Sequence, residues 1–306
     1  MYFYRDRGLF LQKLHPVTVF LYTGLLMVLA VIYSNPLYLT AMLAVIIWTI
    51  IELEGRETLK GYGKIAGMMS VFILVINPLL SREGQTILWH GPRIPVIGLM
   101  DISLEAVLYG LNMALRMFLL IAVFAMYNLM MDPDRAMSAV SRVARKSAVV
   151  LALTVRLIPG MAAQARNVAD IQRARGVNLD SGGIYQRWKK RIPFLRVMLL
   201  TSLENSWHTA EAMEARAFGS GPPTRYVTEV WRPRDTWIAV AVTAALLTAM
   251  AGLLSGAGSY EFYPRVGDLP GSGEEVLVLI ILSIMLAVPP ALARGYKGWS
   301  FIGRRI

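Results

Sequence analysis

The chain has no cysteine, only three histidines and few charged residues of either sign. Without cysteine it cannot have a disulfide framework, a thiolate metal site or a cysteine nucleophile. His15, His90 and His208 are too far apart in sequence to suggest a zinc or iron site. Charged residues make up 17% of the 306 residues, whereas a soluble protein has about 25%. Because the apolar residues also come in unbroken blocks, an ordinary soluble enzyme is excluded.

The charge that is present is unevenly signed. Lys and Arg number 31 against 20 Asp and Glu, a net charge of +11. Such an excess can indicate a nucleic-acid partner, an anionic lipid surface or an acidic protein partner, and the positions of the charges decide between them.

Six apolar blocks are long enough to be membrane-spanning helices, since a hydrocarbon core of about 30 Å needs roughly 17–25 residues of helix. They are 17–33, 36–51, 65–80, 104–131, 237–254 and 276–293. Ser34 and Asn35 separate the first two blocks, and Pro78 should bend or stop the third. We expect the first block to be an uncleaved anchor rather than a signal peptide, because a second block follows at once. The sequence predicts an all-α integral membrane protein with about six transmembrane helices.

The cations predict how this chain is oriented in a lipid bilayer. With both termini in the cytoplasm, 27 of the 31 Lys and Arg lie on the cytoplasmic side, as the positive-inside rule requires. This orientation explains most of the net charge, so no nucleic-acid partner is needed. We expect a membrane domain with four spans over 1–131, a cytoplasmic domain of long helices over 132–236, and two further spans with a basic tail over 237–306.

The segment 132–236 contains the patterns of one short and two long helices. Asp132-Pro133-Asp134 is a helix-start signal for an amphipathic helix over 134–143. A long helix is predicted from Ser147 to Gly176, kinked at Pro159. A second is predicted from near Pro193 to Gly219. Between the two long helices lie a Gly/Ser loop at 180–183 and a basic stretch at 187–191.

The two long helices end in similar sequences. A 41-residue offset aligns Ala174-Arg175-Gly176 with Ala215-Arg216-Ala217. Each helix would present an arginine in its last turn, beside a small alanine that lets a partner approach closely. The alternative is that each arginine only complements the helix dipole, which is worth about 0.3–1 kcal/mol.

Together with Asp132-Pro133 and the run Arg156-Leu157-Ile158-Pro159, these motifs resemble the transmembrane T component of energy-coupling factor transporters, the EcfT or CbiQ type. The second motif departs from the family pattern, because alanine replaces glycine at 217. Six spans is also one more than some members have.

The resemblance implies a non-catalytic coupling subunit in a prokaryotic cell membrane. Two cytoplasmic ABC ATPase subunits would bind the ends of the helices at Arg175 and Arg216. A substrate-binding S component for a vitamin or a transition-metal ion would rest against the spans. No cofactor and no metal site is expected in the chain itself. It has no Gly-x-x-x-x-Gly-Lys-Ser/Thr phosphate loop, so ATP hydrolysis would belong to the partners.

Two other functions stay open at this stage. One is an ordinary ABC permease with its own substrate path. The other is an integral-membrane enzyme that modifies lipids, which would need clustered acids or histidines at the cytoplasmic face.

Within the fourth block, Asn112 and Arg116 share a helix face with Glu105. An intramembrane arginine is a candidate functional residue. A structural role, in which Arg116 pairs with a backbone carbonyl or with Glu52 or Glu54, is equally open.

Overall fold

The computed structural model describes residues 6–81, 84–94, 98–140, 145–176, 183–221, 230–263, 267 and 273–298. These residues form nine α-helices, a short 3-10 helix (Leu11–Lys13) and one two-stranded hairpin. The chain divides into two compact units, residues 137–228 and the remainder, 1–136 with 229–306. The helices are α1 (Pro16–Ile32), α2 (Pro36–Glu52), α3 (Arg56–Leu80), α4 (Leu104–Met130), α5 (Pro133–Val140), α6 (Arg145–Ala174), α7 (Ile184–Ala215), α8 (Pro233–Leu254) and α9 (Gly273–Gly298).

All six predicted apolar blocks are helical. By length and composition, α3, α4, α8 and α9 are long and apolar enough to cross a membrane, whereas α1 and α2 are shorter apolar helices. Each of these two has 17 residues, which at 1.5 Å per residue is about 25 Å, slightly less than the hydrocarbon core. The predicted all-α membrane fold is confirmed.

Capping residues determine where α1 and α2 begin. Pro36 is the first residue of α2, where its missing N–H costs nothing, and the Asn35 side chain accepts the N–H of Leu37 at 3.0 Å. His15 caps α1 in the same way through Nδ1, which accepts the N–H of Val17 at 3.2 Å. The predicted break at Ser34 and Asn35 is therefore present.

The third predicted block is part of a longer helix. The α3 helix begins at Arg56 rather than at residue 65, and Pro78 lies inside it, two residues before its end. A search for apolar residues cannot detect the first turns of α3, because they are polar and contain Lys60, Gly63 and Lys64.

The sequence did not predict the hairpin between α3 and α4. Its strands are β1 (Ile87–Ile94) and β2 (Gly98–Ser103), paired antiparallel with irregularities in register. The Glu105 side chain, buried in the first turn of α4, accepts hydrogen bonds from the Oγ1 and N–H of Thr86 at 2.7 and 3.2 Å. This carboxylate joins the start of the hairpin to the start of α4.

The core of the unit 1–136 with 229–306 is built from α1, α2, α4, α8 and α9. Leu26, Leu39, Ile46, Val123 and Ala245 are completely buried in it. The α3 helix packs mainly on α4, and only 6% of its apolar stretch is buried, against 33% for α4. Its outward apolar side chains fit a lipid environment.

The unit 137–228 contains α6 and α7, which pack against each other. The α6 helix matches the prediction at both ends within two residues. The α7 helix does not match the prediction at either end. It begins at Ile184, contains both the basic stretch 187–191 and Pro193, and ends at Ala215 rather than at Gly219. Pro193 is therefore not the start of this helix. It removes a single N–H donor, and the surrounding residues still extend the helix.

The remaining predictions for this segment are only partly covered. The α5 helix begins at Pro133, as Asp132-Pro133 predicted, while 141–143 and the loop at 180–182 lie outside the described residues. The division into 1–131, 132–236 and 237–306 stays a prediction, because it concerns the side of a membrane on which each segment lies.

Candidate functional site

The α6 helix ends with a left-handed residue directly after the predicted arginine. Ala174 is its last residue, and the N–H of Arg175 still donates to Ile171 O at 3.1 Å. The N–H of Gly176 donates to Arg173 O at 2.9 Å, with a φ of +78° at Gly176. Glycine adopts this conformation at little cost because it has no Cβ.

The α7 helix ends in the same way but without glycine. The N–H of Ala217 donates to Glu214 O at 2.8 Å, and the N–H of Phe218 donates to Met213 O at 2.9 Å. These two bonds form a Schellman motif, in which Ala217 is the left-handed residue with a φ of 54°. Gly176 and Ala217 therefore occupy equivalent backbone positions at the 41-residue offset that aligns the two sequences.

The arginines before these residues point into solvent. The side chains of Arg175 and Arg216 are exposed, and within the described residues neither guanidinium has a hydrogen bond or an ion pair. Arg173, two residues before Arg175, instead donates to Asp170 at 3.3 Å. The structure thus presents two similar cationic helix ends that are available to another molecule.

A groove of about 910 Å³ lies between α6 and α7. Leu157, Met161 and Met213 are among its apolar lining residues. Asn167, Asn205 and His208 add polar groups. The sequence patterns did not indicate this groove, because the crossing of two helices depends on their tertiary packing.

Asn112 and Arg116 both donate to the break between α1 and α2. Arg116 Nη2 lies 2.8 Å from Tyr33 O, and Asn112 Nδ2 lies 2.9 Å from Ser34 O. Of the arrangements that the sequence left open for Arg116, contact with a backbone carbonyl is the one present. Glu105, on the same helix face, binds Thr86 instead.

The N–H groups of the same break have a different partner. Those of Ser34 and Asn35 both donate to Gly258 O, at 2.9 and 3.0 Å. The break between α1 and α2 therefore has its donors and acceptors paired with α4 side chains and with the chain after α8. Such pairing is essential for irregular backbone inside a membrane protein, because hydrocarbon offers no hydrogen bonds.

A second polar cluster, which the sequence patterns did not predict, lies at the opposite end of α1. Arg135 donates to Gln12 O and Leu14 O at 2.5 and 2.8 Å. Arg234 donates to Lys13 O, which lies between them. Carbonyl groups in and next to the 3-10 helix thus bind Arg135, which precedes the segment 137–228 in the chain, and Arg234, which follows it. In the sequence, this cluster was indicated only by arginines near the ends of predicted helices.

The described residues contain no group of three or more His, Asp or Glu side chains that could hold a metal ion. The expectation that the chain has no metal site and no cofactor stays a prediction.

The paired helix ends and the apolar helices agree with the comparison to known families. The sequence model of CbiQ, described as a cobalt transport protein, matches residues 9–226. The chain belongs to the CbiQ family. The match covers α1 to α7 and both arginine motifs, while α8 and α9 lie beyond it.

Curated relatives are named energy-coupling factor transporter transmembrane protein EcfT. The relative from Exiguobacterium sibiricum is 27% identical over 204 residues, which is 63% of this chain and 74% of the relative. Those from Lacticaseibacillus paracasei and Bacillus subtilis are 29% and 26% identical, over 60% and 58% of this chain and 69% of each relative. The resemblance found in the motifs is confirmed, and the chain is of the transporter transmembrane-component type.

Proposed function

We propose that this CbiQ-family chain is the coupling subunit of an energy-coupling factor importer. In this role it passes ATP-driven motion from two ABC ATPase subunits to a substrate-binding S component. The single observation that carries the proposal is the equivalence of the two helix ends. Arg175 and Arg216 precede left-handed residues at the same position and are both exposed. Two equivalent ends fit two ATPase subunits.

Arginine is suited to this contact for a physical reason. Its planar guanidinium stays charged and can bind a carboxylate through two parallel hydrogen bonds. We therefore expect each ATPase subunit to offer acidic residues in a groove that accepts one helix end. Ala174 and Ala215, directly before the arginines, leave room for the groove walls. The helix dipole alone would not require a left-handed turn and a small residue at both ends.

The cations support one orientation in the bilayer. We propose that the chain lies in a prokaryotic cell membrane with both termini and the unit 137–228 in the cytoplasm, supported by the 27 cations on that side. The short helices α1 and α2 would form the hairpin that enters from the cytoplasm. The S component would rest against the spans and would carry a vitamin or a transition-metal ion, the substrate classes of the family.

For Asn112 and Arg116 we propose a structural role rather than substrate binding. What supports it is that their donors are directed to Ser34 O and Tyr33 O. Removing either side chain would leave a carbonyl without its partner inside the membrane domain. The chain needs no catalytic residue in this account, since the ATPase subunits hydrolyse ATP.

The test is to purify a tagged chain from native membranes and to identify the proteins that accompany it. Two nucleotide-binding subunits and a small hydrophobic S component are expected. The variants Arg175→Ala and Arg216→Ala should each lose ATPase subunits and transport, and the double variant should lose more. Truncation of such an anchor typically costs more than about 2 kcal/mol, or roughly thirtyfold in affinity.

Arg173→Ala is the matched control, because Arg173 is in the last turn of α6 and already binds Asp170. It should leave ATPase association unchanged. If Arg175→Ala and Arg216→Ala retain full ATPase association, the coupling role is wrong. If the purified chain binds substrate without an S component, an ordinary permease replaces the proposal.

A further inference from the structure

The charges of α7 are segregated along the helix. Residues 184–199 include five cations and no acid, whereas residues 200–215 include three acids and neither Lys nor Arg. The cations are Arg187, Lys189, Lys190, Arg191 and Arg196, and the acids are Glu204, Glu211 and Glu214.

This order is opposite to the one that stabilises a helix. Acids near the N-terminus and cations near the C-terminus are favourable, by about fivefold or less in the helix equilibrium for each charge. In α7 the first turn has no acid and the last turn has no base. The segregation therefore does not serve the helix itself, whereas an anionic surface next to the first half would account for it.

This half exposes a stripe of large apolar side chains, which continues into the acidic half at Leu203 and Trp207, so it is the cations that distinguish the first half. Tyr185, Trp188 and Ile192 are 81%, 62% and 60% exposed, and Leu195 and Leu199 continue the stripe at helical spacing. At 3.6 residues per turn, these side chains share one face about 21 Å long. Lys189 and Arg196, both exposed, lie along one edge of it. Apolar and aromatic side chains beside cations form the pattern of helices that lie in a membrane interface.

We propose that residues 184–199 of α7 bind the headgroup region of an anionic membrane leaflet. The stripe would enter the boundary between headgroups and acyl chains, while Lys189 and Arg196 would reach the lipid phosphates along their apolar stems. The second half of α7, with its acids, would stay outside the leaflet. This surface rests on the proposed cytoplasmic position of the unit 137–228, and the leaflet is therefore the cytoplasmic one.

The lack of cysteine makes a direct test possible. Single-cysteine variants of the full-length chain, Ile192→Cys and Leu203→Cys, are labelled with an apolar fluorophore and reconstituted in nanodiscs. Ile192 and Leu203 lie on the same helix face, in the cationic and the acidic half respectively. The nanodiscs contain either phosphatidylcholine alone or an equal mixture with phosphatidylglycerol, each with a lipid that carries a quencher on its acyl chain.

Strong quenching is expected at position 192 in the anionic nanodiscs, with weaker quenching in phosphatidylcholine and at position 203. Adding Lys189→Gln and Arg196→Gln should lower the ratio of quenched to unquenched label by about fivefold for each cation, the value for one basic residue near an anionic surface. Glu211→Gln should not lower it. Lys189→Arg should preserve the quenching, which separates loss of charge from misfolding.

Equal quenching at 192 and 203 in both lipids would overturn the proposal, because charge would then have no part in it. The proposal would also be overturned if the label at residue 192 were shielded only after an S component is added, since a protein would then cover the stripe. Because a nanodisc exposes both faces of the bilayer, a membrane-impermeant thiol reagent is instead applied to whole cells and to inside-out vesicles that contain the unlabelled Ile192→Cys variant, which shows the side that residue 192 faces. Reaction at residue 192 from outside would contradict the proposed topology. Reaction from inside, with no quenching, would contradict only the lipid contact.

Discussion

Gly176 and Ala217 adopt the same left-handed backbone conformation, with φ values of +78° and 54°, at the ends of α6 and α7. A left-handed conformation costs an alanine about 1–2 kcal/mol relative to its right-handed form. The end of α7 therefore carries backbone strain that the end of α6 avoids.

The first prediction concerns this strain. Ala217→Gly should raise the free energy of unfolding by up to about 1 kcal/mol, because the relief of strain is partly offset by the entropy of glycine in the unfolded chain. Gly176→Ala should lower it by a similar amount. Thermal unfolding of the detergent-purified chain measures both. Equal and opposite shifts are expected, and a destabilised Ala217→Gly would show that its methyl group makes a contact that outweighs the strain.

The second prediction separates charge from geometry at the arginines. Arg175→Lys and Arg216→Lys keep the positive charge but lose the planar fork that binds a carboxylate bidentately. Their affinity for ATPase subunits, measured by titration in nanodiscs, should fall between those of wild type and the alanine variants. Lysine variants with wild-type affinity at all salt concentrations would mean that only charge is recognised.

The third prediction concerns the break between α1 and α2. Asn112→Ala leaves Ser34 O without its donor and should cost about 1–3 kcal/mol of stability. Asn128→Ala is the control on the same helix, because the half-buried Asn128 donates to Phe124 O in its own helix at 3.0 Å and contacts the Tyr62 hydroxyl only at 3.4 Å. The melting temperature of the purified chain should fall clearly for the first variant and little for the second. Equal decreases in melting temperature for the two variants would show that the hydrogen bond from Asn112 to Ser34 O contributes no more than the contacts of Asn128.

The fourth prediction concerns the buried carboxylate of Asp235. Its Oδ1 accepts the N–H of His15 at 2.7 Å, and its Oδ2 accepts the N–H of Arg232 at 3.0 Å. Asp235→Ala removes both acceptors and should destabilise the chain by about 2 kcal/mol or more. Asp235→Asn keeps one acceptor oxygen, so its free energy of unfolding should lie between those of wild type and Asp235→Ala. Asp170→Ala, at an exposed pair, should change the unfolding temperature little.

The fifth prediction compares two glycines in the turn after α8. Gly256 and Gly258 have φ values of +80° and +85°, but only Gly258 lies against the ring of Tyr33. Gly256→Ala should therefore cost only the backbone strain, about 1–2 kcal/mol. Gly258→Ala should cost more, since its methyl group would overlap a buried ring. Differential scanning fluorimetry of the two variants gives the difference, and equal stabilities would contradict this packing.

Much of the fold could be predicted from the sequence because membrane helices have a strong local signal. A long run of apolar residues can satisfy its backbone in hydrocarbon only as a helix, and α4 begins at the predicted Leu104. The signal is weaker where helices are polar. The first turns of α3 and α7 have too few apolar residues to be detected, and Pro193 lies inside α7 because one missing N–H donor does not stop a helix.

The end of α6 was predictable because a helix end depends on local sequence, and Gly176 is the left-handed residue that follows this helix. The predicted end of α7 was wrong, because the helix ends at Ala215 rather than at Gly219. The sequence could not predict that Ala217 would accept a conformation suited to glycine. That choice follows from the Schellman hydrogen bonds, which outweigh the preference of one residue.

The polar contacts between distant segments required the tertiary structure. Nothing near Asp235 indicates that it binds the backbone of His15, and nothing near Arg116 indicates Tyr33 O. Such partners lie far apart in the chain, and only packing brings them together.

The sequence by itself determined the membrane character of this protein and the paired arginine motifs of its two long helices, because hydropathy and helix capping act over short distances along the chain. The tertiary structure decided which buried groups satisfy one another, which side chains remain exposed on α7 and where the two long helices cross. Those properties depend on the positions of whole helices, and no local pattern of residues specifies them.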